Sequence, residues 1–216
     1  MKTITVKGSG RISVKPDLIV VSMNLESTDV DYEKTMELAS EKINELNETL
    51  YKVGFEKDSV KTASFNVRTK YENVRDKNGV YKNEFCGYEC RHALKVEFDF
   101  DTGRLAKVLA VVSGCLAKPE ISVAFTVKDP DAVGDELLKA AARDAREKAS
   151  VLCEASGVTL GELVSIDYNR GEADFRSQTE YAVYGCSRAM KSAVDIDIAP
   201  EDIKVNDFAS FVWEIK

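Results

Sequence analysis

The stretch from residue 129 to residue 168 constrains the fold more than any other part of this sequence. Its apolar positions recur every three or four residues, as one face of a helix requires, at Val133, Leu137, Ala141, Ala145, Ala149 and Leu152. Asp129 is suited to cap the start of this helix, Pro130 to its first turn and Gly157 to its end. Because the middle of this stripe consists of three alanines, the helix can lie close to a sheet. We therefore predict that residues 130–156 form a helix that is the longest of the chain, or close to it, and packs on β-strands.

The same order of helix, glycine and strand occurs earlier, from Met36 through Gly54 to Val67. There the apolar stripe consists of Met36, Ala39, Ile43, Leu46, Leu50 and Val53, which predicts a helix over residues 31–53. A shorter helix is predicted over residues 102–114. These elements predict an α+β fold of mixed, largely antiparallel sheets, with two long helices and one shorter helix packed on them.

Runs of alternating apolar and polar residues predict the strands. They are expected at residues 4–14, 18–25, 60–71, 85–100, 121–127, 163–168 and 207–215. A bulge or tight hairpin is expected to interrupt the first strand at Gly8–Gly10. Two segments, 68–92 and 169–204, are longer than ordinary loops and are predicted to be arms. The repeated order of elements predicts a single domain, residues 1–216, with two pseudo-repeated halves as lobes, 1–100 and 101–216.

Composition excludes several classes of protein. The net charge of −7 argues against nucleic acid as a partner, because such binding needs a basic surface. The longest mostly apolar stretch, residues 108–117, is shorter than the roughly 20 residues that span a bilayer, so no membrane insertion is expected. The first residues alternate like a strand and do not form the apolar core of a signal peptide. With five cysteines, an odd number, reduced thiols and a cytoplasmic location are predicted.

Several short motifs together resemble the SIMPL-domain family, whose bacterial members include periplasmic immunogenic proteins of poorly defined function. The motifs are Val6-x-Gly8-x-Gly10, Val14-x-Pro16-Asp17, Thr62-x-Ser64-Phe65-x-Val67, Tyr71, Gly87-Tyr88, Ala140-Ala141, Asp144-Ala145-Arg146, Lys148-Ala149, Gly157-Val158-x-Leu160-Gly161 and Pro200-Glu201-x-Ile203. The resemblance implies an α+β fold, self-assembly and a link to stress responses or host-facing roles. It supplies no catalytic residues. Most bacterial relatives carry an export signal, and residues 171–190 lack the proline-rich character expected there.

One cluster has the composition of a metal site: Cys86, Cys90 and His92. Thiolates and imidazole are the ligands that zinc prefers, and on a regular strand the three positions share one face. The spacing matches no standard zinc motif, and a fourth ligand would come from elsewhere, such as Cys186. Cysteine also packs as a small apolar side chain within sheets. The structural interpretation is favoured, so we predict no metal and no cofactor, and we keep a small-ligand or metal-binding module at this cluster as the alternative function.

No pattern identifies a catalytic centre. His92 is the single histidine, and the sequence lacks the Gly-x-Ser-x-Gly motif of a nucleophile elbow. Gly8-Ser9-Gly10 leads into a strand, whereas a phosphate-binding loop leads into a helix. Asp195 and Asp197 alternate with isoleucines, as on a solvated strand face. We therefore predict that the protein is not an enzyme and has no catalytic residues.

Aromatic residues are frequent in the two predicted arms and often anchor protein interfaces. The residues expected to contact other subunits are Tyr81, Phe85, Phe175, Tyr181 and Tyr184. The same side chains could instead fold back over their own sheet, and the sequence leaves both arrangements open. We predict a non-enzymatic, self-assembling SIMPL-domain protein, a homo-oligomer of undefined cellular role.

Overall fold

The computed structural model describes residues 2–75, 81–169, 174–179, 181–183 and 198–216, which form eight strands, three α-helices and one 3-10 turn. In chain order these are β1 (Thr3–Val14), β2 (Leu18–Asp29), α1 (Tyr32–Tyr51), the 3-10 turn (Lys57–Ser59), β3 (Lys61–Arg75), β4 (Tyr81–Asp99), α2 (Thr102–Ser113), β5 (Glu120–Thr126), α3 (Pro130–Ala155), β6 (Leu160–Asp167), β7 (Tyr181–Val183) and β8 (Ile203–Ile215). The prediction of an α+β fold with two long helices and one shorter helix is confirmed. With 26 residues, α3 is the longest of the described helices.

The chain divides into two compact units. The first unit comprises Met1–Asp17, Phe125–Gln178 and Pro200–Lys216, and the second unit comprises Leu18–Ala124 and Thr179–Ala199. One sheet has three strands in the order β1–β8–β6, and the other has five in the order β3–β4–β2–β5–β7. The predicted pseudo-repeat is not confirmed, and the single domain with lobes 1–100 and 101–216 remains a prediction.

In the first unit, α3 packs closely on β1 and β8. Every residue of β1 pairs with β8 in one unbroken antiparallel register, from Thr3 opposite Glu214 to Val14 opposite Ile203. The bulge or tight hairpin predicted within β1 is therefore wrong. Its glycines have another role, because a Cβ at Gly8 would overlap the carbonyl oxygen of Ala141 in α3. Glycine is needed there to let the helix backbone approach the strand.

The buried face of α3 follows the predicted stripe in its middle, whereas Val133 at its start is half-buried and its last position is exposed. Buried positions on this helix are Leu137, Ala141, Ala145, Ala149 and Cys153. Leu152 is 49% exposed, so the prediction that it completes the stripe is wrong. The buried positions advance in steps of four along the helix, and this spacing ends at Cys153. On the exposed side of the helix, Lys148 donates to Asp144 at 2.6 Å.

In the second unit, α1 packs on β2 and β4. The Asp31 side chain caps α1 by accepting a hydrogen bond from the backbone N–H of Glu33 at 2.8 Å. Gly54 follows the helix with φ +87°, as the predicted glycine stop requires. Among the described helices, none combines the length and the apolar character needed to cross a bilayer.

Candidate functional site

The long hairpin of β3 and β4 carries the candidate interaction surface. We call residues 67–75 of β3 and 81–87 of β4 the hairpin arm; they pair antiparallel out to Arg75 opposite Tyr81. Residues 71–75 and 81–85 are exposed on both faces. A two-stranded hairpin without further support is marginally stable in water. The hairpin arm therefore has apolar and backbone groups that an additional partner could cover.

A β-bulge lies near the root of the hairpin arm. Lys70 pairs with Gly87 and Tyr71 with Phe85, so Cys86 is an extra residue in β4. Gly87 has φ +129°, a conformation that favours glycine, and a Cβ there would overlap the carbonyl oxygen of Asp29. A bulge bends the strand that contains it. The bulge thus separates the buried part of β4 from the exposed part.

One face of the hairpin arm is aromatic. Tyr71 and Phe85 are directly opposite, with ring centroids 5.8 Å apart, and Tyr81 shares their face because side chains alternate along a strand. These three residues, the aromatic stripe, are 56%, 46% and 67% exposed in the order Tyr71, Phe85, Tyr81. Phe85 also contacts Tyr88 at 5.4 Å. Near the sheet, the stripe therefore packs against Tyr88 through Phe85, whereas Tyr81 at its outer end is its most exposed ring.

The opposite face of the hairpin arm is charged and incompletely neutralised. Glu72 and Glu84 are directly opposite each other, an arrangement that destabilises a strand pair. Among the described residues, neither these carboxylates nor Lys70 on the same face forms an ion pair. Nearer the sheet the charges are matched, since buried Glu89 accepts from Arg68 at 2.8 Å and from Arg91 at 2.6 Å. Within the described part of the hairpin arm, Lys70, Glu72 and Glu84 are thus charged residues outside any ion pair.

The candidate metal ligands do not form a cluster in the described chain. The bulge interrupts the alternation that would place Cys86 on the same face as Cys90 and His92. The Cys86 thiol donates to the carbonyl oxygen of Glu84 at 3.3 Å. Cys90 is buried, and this burial raises the pKa of its thiol, which disfavours the thiolate that binds metal. Within the described ranges, no three His, Cys, Asp or Glu side chains are grouped to hold a metal ion, and Cys186 lies outside those ranges.

His92 lines an open cavity of about 560 Å³ on the second unit. The cavity is lined by Asn24, Leu25, Glu26, Ser64, Arg91, His92, Ala93, Lys118 and Glu120. The His92 Nε2 atom is 3.0 Å from the Thr62 hydroxyl, and its ring contacts Phe65 edge-on at 5.1 Å. Burial lowers the pKa of His92, which favours the neutral imidazole. The cavity has charges of both signs, with Arg91 3.6 Å from Glu26, and can accept a small polar molecule.

The structure describes four of the five predicted interface residues. Tyr81 and Phe85 lie exposed on the hairpin arm. Phe175 is half-buried in the first unit against a cluster that includes Leu137, and Tyr181 is half-buried on β7 opposite Val123. Tyr184, Asp195 and Asp197 lie outside the described residues.

Tyr71, Lys70 and Glu72 were absent from the predicted interface set, although they lie on the same arm. The alternation of Lys70, Tyr71 and Glu72 indicates a strand with one aromatic and one charged face. Which residue of β4 lies opposite each of them depends on the bulge at Cys86. The alternating pattern does not reveal the bulge, so the sequence alone did not show which residues of β4 lie opposite these three.

Two curated proteins are similar to this chain. Each is named "26 kDa periplasmic immunogenic protein", one from Brucella melitensis biotype 1 and one from Brucella abortus (strain S19). Each is 26% identical over 166 residues, which cover 76% of this chain and 65% of the relative. This chain thus matches slightly less than two thirds of the length of each relative. Because both relatives are periplasmic by name, the prediction of a cytoplasmic location is wrong.

The family assignment rests on nearly the whole chain. The model of the SIMPL family, described as "Protein of unknown function (DUF541)", matches residues 4–213. That range includes most of the first unit, all of the second unit and all the motifs that carried the resemblance. The chain therefore belongs to the SIMPL family.

Proposed function

We propose that this chain is an exported, non-enzymatic SIMPL protein that assembles with copies of itself through the hairpin arm. The aromatic stripe is the observation that carries the proposal. A periplasmic location is supported by the names of the two relatives. The link to stress responses remains an expectation from the family resemblance.

The aromatic stripe leaves apolar area exposed to solvent. Burial of apolar surface contributes about 25 cal/mol per Å², and aromatic side chains supply the largest areas. Tyr71, Tyr81 and Phe85 present this surface on a ribbon that is exposed on both faces. A second protein surface laid on the stripe would bury it. Aromatic anchors of this kind typically contribute about 2 kcal/mol or more each to an interface.

Sedimentation velocity at micromolar concentration tests the proposal. We expect the natural chain to sediment as an oligomer and the Tyr81→Ala/Phe85→Ala variant to dissociate towards monomer. Tyr51→Ala is the matched control, because Tyr51 is 61% exposed at the end of α1 and lies outside the hairpin arm. A monomeric natural chain would end the proposal, and an unchanged oligomer in the double variant would remove the stripe from it.

A second candidate function is a small-ligand or metal-binding module that uses Cys86, Cys90 and His92. The cavity beside His92 favours the small-ligand form of this candidate. Elemental analysis of the purified protein separates the metal-binding form from self-assembly alone. About one zinc ion per chain, lost on Cys90→Ser, would promote metal binding over the first candidate.

A further inference from the structure

The outer edge of β3 is the feature from which we infer a specific mode of assembly. β3 lies at the end of its sheet, and in the described part of the chain it pairs with one strand, β4. Residues 67–75 contain no proline, and the irregularity of β3 itself lies earlier, between Thr62 and Ser64. Such an edge has a row of backbone N–H and C=O groups that can pair with another strand. It is a regular nine-residue template for strand addition.

A second copy of β3 is a geometrically suitable partner. Two copies related by a two-fold axis perpendicular to the sheet run antiparallel, and each side chain stays on its own face of the continuous sheet. Directly opposite residues must therefore come from the same face. The possible registers differ in which residue lies on the axis and faces its own copy.

Among the registers centred near the middle of residues 67–75, the cross-strand charge pairs favour one. With Tyr71 on the axis, Lys70 lies opposite Glu72 of the second copy, and symmetry repeats this pair. Placing Lys70 on the axis puts two lysines together, and placing Glu72 on the axis puts two glutamates together. Opposite charges stabilise cross-strand pairs and like charges destabilise them. The register centred on Tyr71 gives two attractive pairs and no like-charge pair on the axis.

The register centred on Tyr71 also gives Lys70 and Glu72 the opposite charges that they lack within one chain. Glu72 faces Glu84 on its own hairpin, and Lys70 lies opposite Gly87, so neither has an opposite charge directly across from it. Pairing between copies would place a lysine next to this carboxylate pair. It would also put the two Tyr71 rings side by side and join the aromatic stripes of both copies on one face. A sheet of four strands with an apolar face is more stable than two separate hairpins.

We propose that two copies of this chain join edge to edge through antiparallel pairing of β3 residues 67–75, centred on Tyr71, with Lys70 opposite Glu72 of the second copy. This inference rests on the self-assembly proposed above and specifies one contact within it.

Charge exchange tests the register. Lys70→Glu alone or Glu72→Lys alone converts both attractive pairs into repulsive ones, so each should weaken self-association roughly tenfold at low ionic strength. The combined Lys70→Glu/Glu72→Lys variant keeps the net charge of −7 and should restore association. Lys61→Glu is the control, since it changes an exposed lysine of β3 outside the paired segment.

A cross-link tests the position of the axis. Opposite residues in antiparallel strands have Cα atoms about 4.5–5.5 Å apart, which suits a disulfide. Tyr71→Cys should therefore form a covalent dimer under mild oxidation. Thr69→Cys is the control, because its copy would lie about 13 Å further along the strands. The natural chain, oxidised in parallel, reports any dimer formed through its own cysteines.

The outcomes separate this inference from the proposed function. Restoration by the combined variant together with a dimer specific to Tyr71→Cys supports the inference. A natural chain that is oligomeric, with no effect of the charge variants and no specific cross-link, overturns the inference and leaves self-assembly intact through another contact. A natural chain that is monomeric overturns both.

Discussion

His92 lies in surroundings that favour its neutral form. Its Nε2 atom is 3.0 Å from the Thr62 hydroxyl, its ring contacts Phe65, and burial lowers its pKa below the ordinary value of 6.5. The unfolded chain therefore binds more protons at this residue than the folded chain below about pH 6.5. Neutral His92 makes its full contribution to the stability of the folded chain above that pH. This contribution is lost as the pH falls through the pKa that His92 has in the folded chain.

We expect His92→Gln to reduce the pH dependence of unfolding in mildly acidic solution. His92 is the single histidine of the chain, so no other imidazole contributes in this range. Glutamine retains a group that can bond Thr62 but does not titrate. Denaturant unfolding between about pH 7.5 and 5.5 should show a steeper loss of stability for the natural chain than for the variant. Equal slopes in the two proteins would contradict the lowered pKa of His92.

The sequence predicted the residues that begin and end helices, but it did not predict which side chains share a face of β4. Asp129 as a helix cap and Gly54 as a helix stop follow from properties of single residues, and both predictions are confirmed. The shared face of Cys86, Cys90 and His92 assumed an unbroken strand. The bulge at Cys86 depends on pairing with β3, a contact between distant parts of the sequence, so alternation alone did not reveal it.

At the scale of elements, the close contact of α3 with β1 gives a sharp test of packing. A Cβ at Gly8 would lie 2.7 Å from the Cβ of Ala145 and would overlap the carbonyl oxygen of Ala141. The helix would have to move away from the strand. We expect Gly8→Ala to lower the free energy of unfolding by about 1–3 kcal/mol or more, as overpacking does.

The control for this substitution is Gly114→Ala. Gly114 follows α2 with φ −85°, and the nearest atom to its added Cβ is 3.6 Å away. Its change in stability should stay within about 1 kcal/mol. Chemical denaturation of both variants measures the difference, and a Gly8→Ala variant as stable as the natural chain would refute close packing at this contact.

The helices were predicted more accurately than the strand ends. The 3.6-residue period and the caps are local signals, and α3 begins at Pro130 as expected. β8 begins at Ile203, four residues before the predicted start, because residues 203–206 pair with the end of β1. β2 likewise continues to Asp29 along β4, although the apolar pattern weakens after Leu25. Strand length is set by the partner, which a single sequence does not display.

At the scale of the whole molecule, each unit combines segments that are far apart in sequence. The first unit unites the chain's first 17 residues with residues 125–178 and 200–216. The predicted lobes, 1–100 and 101–216, follow the local order of elements, and that order does not display contacts between distant segments. The family resemblance came from motifs spread along the chain, and the match over residues 4–213 confirmed it. The cytoplasmic prediction was drawn from the alternating pattern of the first described residues and from the odd number of cysteines, whereas the two relatives are periplasmic by name.

The proposed self-assembly would make thermal stability depend on protein concentration. A partner that binds the folded chain and not the unfolded chain raises the melting temperature by mass action. We expect the melting temperature of the natural chain to rise over a hundredfold range of concentration. The Tyr81→Ala/Phe85→Ala variant should show a much smaller rise, because it lacks two anchors of the aromatic stripe. Tyr51→Ala should behave like the natural chain. A melting temperature that is independent of concentration in all three proteins would show that folding and association are not coupled through the hairpin arm.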